Sequence, residues 1–327
     1  MESCLREPVD LAKESDGAMT FNEGMQLDPE LASGSGAPGG GMGGKLAIGG
    51  GAGGIILLVL TLLFGGDPGT VLGSLTGAGG GDTSSSGGID PSACRTGADA
   101  NRDVDCRILF TAQSLNQIWG EELPKQTGKK YVKPGVKLFS GSVATACGNA
   151  TSEVGPFYCP ADTNAYFDTS FFDILTTRFG SSGGPLAQEY VVAHEVGHHI
   201  SNILGTLGRA QQDPQGPESG AVKTELQADC YAGLWAYYAD KRNAPGTNQP
   251  MLKQLTEKDI RDALSAAASV GDDRIQKKST GRVNPEGWTH GSSEQRQKWF
   301  LQGYKTGQVK ACDTYSARDL NNPPGLR

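Results

Sequence analysis

Three of the four histidines in the chain sit together in Val192-Ala193-His194-Glu195-Val196-Gly197-His198-His199, which contains the pattern H-E-x-x-H. On a helix, His194 and His198 lie one turn apart on the same face, so both imidazoles reach one tetrahedral metal ion. Glu195 lies ~100° round from His194, placed to take a proton from a metal-associated water without competing as a ligand. The chemistry this permits is hydrolysis assisted by Zn2+, with Glu195 as general base. Three fixed residues in five recur by chance. Here, however, histidine is scarce elsewhere and the flanks are apolar, and buried imidazoles and carboxylates need partners or a metal.

A catalytic zinc takes three protein ligands. The extended form H-E-x-x-H-x-x-G-x-x-H is excluded, because Ser201 and Leu204 stand where Gly and His would be required. A carboxylate is better placed. Glu225 and Asp229 are four residues apart in Ser219–Tyr238, a second apolar helical stretch, so they stack on one face. One of them can bind the metal while the other accepts the free N–H of a ligating histidine. The spacing alone allows either order. The remaining histidine, His290, precedes Ser292-Ser293-Glu294-Gln295, where Ser292 and Gln295 fit a capping box. From there it is a candidate to stabilise an oxyanion opposite the metal, with Arg296 a lesser candidate for a substrate carboxylate or oxyanion.

These residues need two helices to position them. Gly183-Gly184 breaks the chain, Pro185 suits a first helical position, and Leu186, Tyr190, Ala193, Gly197 and Ile200 then recur at helical spacing. Gly197 costs ~1 kcal/mol against alanine, which is tolerable where a neighbour must approach closely. The second helix turns Val222, Leu226, Cys230, Gly233, Leu234 and Tyr237 inward. The polar stretch between residues 206 and 218 returns the chain so that the two helices pack antiparallel. Asn164–Asp168 reads as a strand, with Val136–Phe139 as its neighbour. As an edge strand it would bind a peptide backbone; an ordinary core strand fits equally well.

Half of the 48 glycines, 24, fall in the first 90 positions, a composition too costly to order as a packed domain. Residues 1–45 are therefore expected to be a disordered cytoplasmic tail. Residues 46–66 carry no charge and are long enough for one transmembrane helix, 67–89 form a Gly/Ser-rich linker, and 90–327 form the domain. Lys45 ahead of the span, with no Lys or Arg after it until Arg95, places the domain outside the cytoplasm. Cys4 precedes the span; Cys94, Cys106, Cys147, Cys159, Cys230 and Cys312 follow it, an even number suited to an oxidising exterior. Short separations favour Cys94–Cys106 and Cys147–Cys159, leaving Cys230–Cys312, one of fifteen connectivities. A net charge of −7 with no dense basic run argues against a nucleic-acid partner.

The pairing of His194-Glu195-Val196-Gly197-His198-His199 with Glu225-Leu226-Gln227-Ala228-Asp229-Cys230 resembles the bacterial putative neutral zinc metallopeptidase family, membrane-anchored proteins of the gluzincin type. The likeness takes in Ala100–Arg107, Val154–Asp162 and Thr289–Arg296. It implies an α+β, zincin-like fold: a mainly helical metallopeptidase domain with a small antiparallel sheet, preceded by one transmembrane helix. It also implies Glu225 as third zinc ligand and Asp229 as the residue orienting a ligand histidine. The expected activity is that of a membrane-anchored, single-pass zinc endopeptidase acting on peptides or proteins. The competing expectation is a non-catalytic, zinc-stabilised peptide-binding or envelope scaffold domain. The family's tail is often basic and this one is not; the resemblance resumes at Met19–Gly24, which marks Met19 as the expected native start.

Overall fold

The computed structural model describes residues 20–32 and 91–326. The expected transmembrane helix (46–66), the linker (67–89) and the rest of the tail lie outside them. Among the described residues no helix is long and apolar enough to cross a membrane.

From residue 91 the chain is mostly helical. In order come α1 (Gly97–Arg102), α2 (Val104–Thr127), β1 (Gly135–Phe139), β2 (Ser142–Thr145), β3 (Gly148–Thr151), β4 (Phe157–Cys159) and β5 (Asn164–Asp168). Then follow α3 (Ser170–Thr177), α4 (Pro185–Leu204), α5 (Gly220–Ala239), α6 (Glu257–Ser269), α7 (Asp272–Thr280) and α8 (Ser293–Thr306). Side-chain caps define the helix starts. The Asp103 carboxylate accepts from Cys106 N–H at the head of α2, and Ser219 Oγ accepts from Val222 N–H at the head of α5. Pro185 opens α4 and Gly205, at φ 79°, closes it. Ser292 and Gln295 form the expected capping box on α8.

Helices α4, α5 and α8 form the centre, with α5 packed between the other two. A β-carbon at Gly197 would lie 2.9 Å from both Cα and the carbonyl oxygen of Ala228, so the absent side chain is what lets α4 meet α5. Trp119 of α2, Trp235 of α5 and Trp299 of α8 are fully buried in this core. Truncating any of them to alanine would cost ~3–5 kcal/mol. Three disulfides join Cys94–Cys106, Cys147–Cys159 and Cys230–Cys312, the set favoured by the separations. The last of them ties α5 to the chain's C-terminal part.

The small sheet is mixed rather than antiparallel. Its order is β1-β5-β4, with β1 parallel and β4 antiparallel to β5. Asn164–Asp168, considered as an edge strand, is the middle strand. Its apolar residues Ala165, Tyr166 and Phe167 are buried, and both of its hydrogen-bonding edges are occupied. The edge nearest α4 belongs to β4. Strands β2 and β3 form a separate hairpin across the Cys147 loop.

A larger correction concerns the tail, because residues 20–32 are built into the domain. Phe21 is fully buried and meets Phe110 edge-on at 5.6 Å. Its N–H donates to Asn101 Oδ1 (3.0 Å), and its carbonyl accepts from Asn101 Nδ2 (2.9 Å). Lys253 N–H donates to Thr20 O, Leu27 N–H to Arg95 O and Gly97 N–H to Met25 O. The Thr20 hydroxyl donates to the buried carboxylate of Glu189 on α4. Averaging glycine over the first 90 positions hid this segment, whose Phe21, Met25 and Leu27 are all buried.

Candidate metal centre

Helix α4 presents His194, Glu195 and His198, and α5 presents Glu225; all four are at least nine-tenths buried. His194 Nε2 lies 3.2 Å from His198 Nε2 and 3.1 Å from Glu225 Oε2, and His198 Nε2 lies 3.4 Å from Glu225 Oε1. Ligands at ~2.0–2.1 Å around a tetrahedral zinc stand about 3.3 Å apart, so the three donors have the mutual spacing the ion requires. Two imidazole nitrogens facing each other beside a carboxylate form a donor set chemically suited to a divalent cation.

Asp229 stands behind His194 rather than among the donors. Its Oδ1 lies 2.9 Å from His194 Nδ1, which fixes that nitrogen as the N–H donor and turns Nε2 toward the site. The same carboxylate accepts from the Tyr190 hydroxyl, from Arg296 Nε (2.8 Å) and from Arg296 Nη2 (3.0 Å). Fully buried and bonded to His194, Tyr190 and Arg296, Asp229 orients the His194 ring, while Glu225 faces the other two donors. Arg296 differs from its expected role: its guanidinium is spent on Asp229, Tyr190 and the carbonyl of Val270. It lines the cavity beside the site but acts by holding Asp229.

His199, adjacent to the motif, faces away. Its Nε2 donates to Val132 O (2.7 Å), so its Nδ1 accepts from the Tyr158 hydroxyl (2.9 Å). Burial depresses its pKa and keeps the ring neutral. It fastens β4 to α4.

His290 reaches the site from a loop and lines the same cavity as His194, Glu195 and Glu225. Its Nδ1 contacts Asp272 Oδ1 (3.2 Å) and Thr289 Oγ1 (2.9 Å). Asp272 was not visible as a site residue in the sequence. Its Oδ2 accepts the backbone N–H groups of Thr289, His290 and Gly291 at 2.7, 2.7 and 3.0 Å, fixing the whole loop. An acid directly after Gly271 at a helix start was the one available signal, and it signals capping rather than a partner 18 residues away.

The electrostatics separate the roles. Burial pushes Glu195 up to about 7, with the charge of His194 working against the rise. Burial also drives His198 down to about 4. For His194 burial works downward, but the charge and hydrogen bond of Asp229 overcome it and raise the ring to about 9. Glu225 is held well below the carboxylate range: burial opposes this, and His198 and His194 outweigh it. Glu195 Oε2 has no hydrogen-bond partner among the described residues. A base with a raised pKa and an uncommitted oxygen therefore faces a cavity of about 90 Å³, whose other walls include Phe171, Leu175, Phe179, Val191, Ala266 and Ile275.

A buried His-Glu-x-x-His helix crossed by a helix bearing a glutamate and an aspartate defines the class: a zinc metallopeptidase-type centre of the His-His-Glu kind. The chain belongs to the family described as "Putative neutral zinc metallopeptidase", whose model matches residues 24–315. An uncharacterized protein of Mycobacterium tuberculosis is 57% identical over 304 residues, covering 92% of this chain and all of that protein. The uncharacterized protein YpfJ of Escherichia coli K12 is 36% identical over 287 residues, 86% of this chain and 92% of its own. No solved structure matches the chain.

Proposed function

We propose that the protein is a zinc-dependent endopeptidase. The observation that carries this reading is the spacing of His194, His198 and Glu225, 3.1–3.4 Å between donor atoms, with Glu195 beside them on an apolar cavity. His194, His198 and Glu225 would hold a zinc ion, which would supply a Lewis acid able to acidify the attacking water. Glu195 accepts the proton of the attacking water and delivers it to the leaving nitrogen. His290, steadied by Asp272, donates to the oxyanion that develops on the scissile carbonyl. Asp229 and Arg296 keep the His194 ring in the ligating tautomer. Val154–Pro156, which leads into β4, forms one wall of the cavity, and an extended substrate is placed along this edge rather than along β5.

The test is Glu195→Gln, measured for zinc content and for hydrolysis of a peptide library. Retained stoichiometric zinc with cleavage reduced by at least ~10²-fold supports the reading. Unchanged cleavage sinks it. Stoichiometric zinc in a wild type that cleaves nothing in the library favours the scaffold domain instead.

We propose that the domain lies in an oxidising compartment outside the cytoplasm, a reading that its three disulfides support. Residues 20–32 belong to the same body, so they share its side of any membrane. The topology proposed thus keeps residues 20–32 and the domain on one side, in place of a single crossing with a cytoplasmic N-terminus. Glu23→Cys, at an exposed position, tests it with a membrane-impermeant maleimide on intact cells. Labelling supports the shared side, and protection until lysis restores the single crossing.

A further inference from the structure

A second recess adjoins the cavity beside the metal donors across its apolar wall. Phe179 and Ile275 line the cavity on one side, and on the other they line this recess of about 530 Å³. That recess is bounded by Arg178, Arg274, Lys277 and Lys278, with no acidic residue among those lining it. In a chain of net charge −7, four cations around one hollow are a local reversal of sign. Phe179 and Ile275 thus form a shared apolar wall between the cavity beside Glu195 and a recess ringed by cations.

Helix electrostatics account for part of this and not the rest. Lys277 and Lys278 occupy the last turn of α7, where the helix dipole favours cations. Arg274 sits in the first turn of the same helix, where the dipole disfavours one. Arg178 comes from a separate element, the C-cap of α3. The Lys278 ammonium donates to the carbonyl of Arg178, drawing the two elements together around the recess. Convergence of arginines from two elements, one of them against its helix dipole, is what a carboxylate-binding end requires, because a guanidinium matches a carboxylate in charge and in forked geometry.

We propose that this cationic recess binds a carboxylate of the peptide substrate whose neighbouring apolar side chain packs against the shared wall of Phe179 and Ile275. The proposal rests on the peptidase reading and sets the substrate class within it: peptides in which a bulky apolar residue stands next to an acidic side chain or the free C-terminus. Either source supplies the same carboxylate, and the experiment separates them.

The full-length protein carrying Glu195→Gln and loaded with zinc binds, without cleaving, fluorescent peptides that share one phenylalanine. Their neighbouring residue is Asp or Lys, and each is made with a free or an amidated C-terminus. At low salt the Asp peptides are expected to bind about 10-fold more tightly than the Lys peptides, with the gap closing as salt rises. If instead the free-acid peptides bind more tightly than their amides whichever residue is the neighbour, the terminal carboxylate is the ligand. The same measurement follows in the Arg274→Glu, Lys277→Glu background, at exposed positions outside the metal centre, with zinc content and thermal unfolding showing that it folds. That charge reversal is expected to abolish or invert the preference. Equal binding of all four peptides overturns the proposal and leaves the peptidase reading standing, as does a preference unmoved by the charge reversal. A zinc-loaded wild type that neither binds nor cleaves any of them overturns both.

Discussion

His194 and His290 are both held through Nδ1 by a buried aspartate, yet the two pairs are built in opposite ways. Asp229 meets His194 across a helix–helix contact, and its charge is matched by Arg296 and Tyr190, so three side chains on three helices fix one ring. Asp272 meets His290 at the head of α7 and gives its second oxygen to three consecutive backbone amides. The first arrangement is rigid and suits a metal ligand. The second fixes a loop and suits a residue that must meet a developing charge. On the proposed function, the same Asp–His pair serves as a structural strut in one place and as an aimed donor in the other.

The sharpest way to break this comparison is Asp229→Asn. It removes the charge that compensates Arg296 in a fully buried site, so stability should fall by ~3–5 kcal/mol. Zinc affinity should weaken ~10–100-fold as His194 loses its orienting partner. Denaturant unfolding and zinc titration with a competing chelator measure the two effects. A variant that keeps both within error shows that Asp229 is not the strut. Glu225→Gln should lose zinc more completely with a smaller loss of apo stability, since Glu225 contacts only the edge of the Arg296 network, 4.0 Å from Nη2.

How much of this was legible follows from where the residues sit. His194, His198, Glu225 and Asp229 repeat at helical spacing within two apolar stretches, so periodicity announced both helices and the face each presents. Gly197 pointed to close packing, and Ala228 is what it meets. Strand order was not legible. A five-residue strand such as Asn164–Asp168 carries no signal telling middle from edge, and the parallel pairing with β1 is a long-range event. Residues 20–32 escaped notice because their partners, Asn101, Glu189 and Lys253, are scattered through the chain. Asp272 escaped because loop contacts have no period.

A third buried carboxylate sharpens the comparison by lacking a histidine altogether. Glu189, on α4, receives the Thr20 hydroxyl on one oxygen and, among the described residues, nothing on the other. Burial lifts its pKa to about 7, with Thr20 and Arg107 only partly offsetting the rise. Its folded pKa exceeds the ordinary carboxyl value, so the folded state holds the proton more tightly than the unfolded state does. Stability from this group is greatest below about pH 4.5 and declines as pH climbs to about 7. Glu189→Gln should therefore gain on wild type across that window, by up to ~3 kcal/mol at its upper end. Paired urea titrations at pH 4.5 and 7.5 read the difference; a pH-independent gap shows that the carboxyl is not the source.

The smallest effect separates strut from aimed donor most directly. Asp272→Asn keeps the oxygen facing the loop amides and removes the charge beside His290. Zinc content should stay stoichiometric, while kcat falls ~10-fold or more and KM moves little, because the oxyanion contact matters most in the transition state. Burial alone would lower the His290 pKa, and the hydrogen bond and charge of Asp272 raise it instead. His290 consequently stays protonated to higher pH in the wild type than in the variant. The alkaline limb of the kcat profile should then move toward lower pH in Asp272→Asn, whereas His290→Ala should remove that limb. If Asp272→Asn instead sheds zinc along with activity, His290 belongs to the metal-holding framework and the two Asp–His pairs are struts alike.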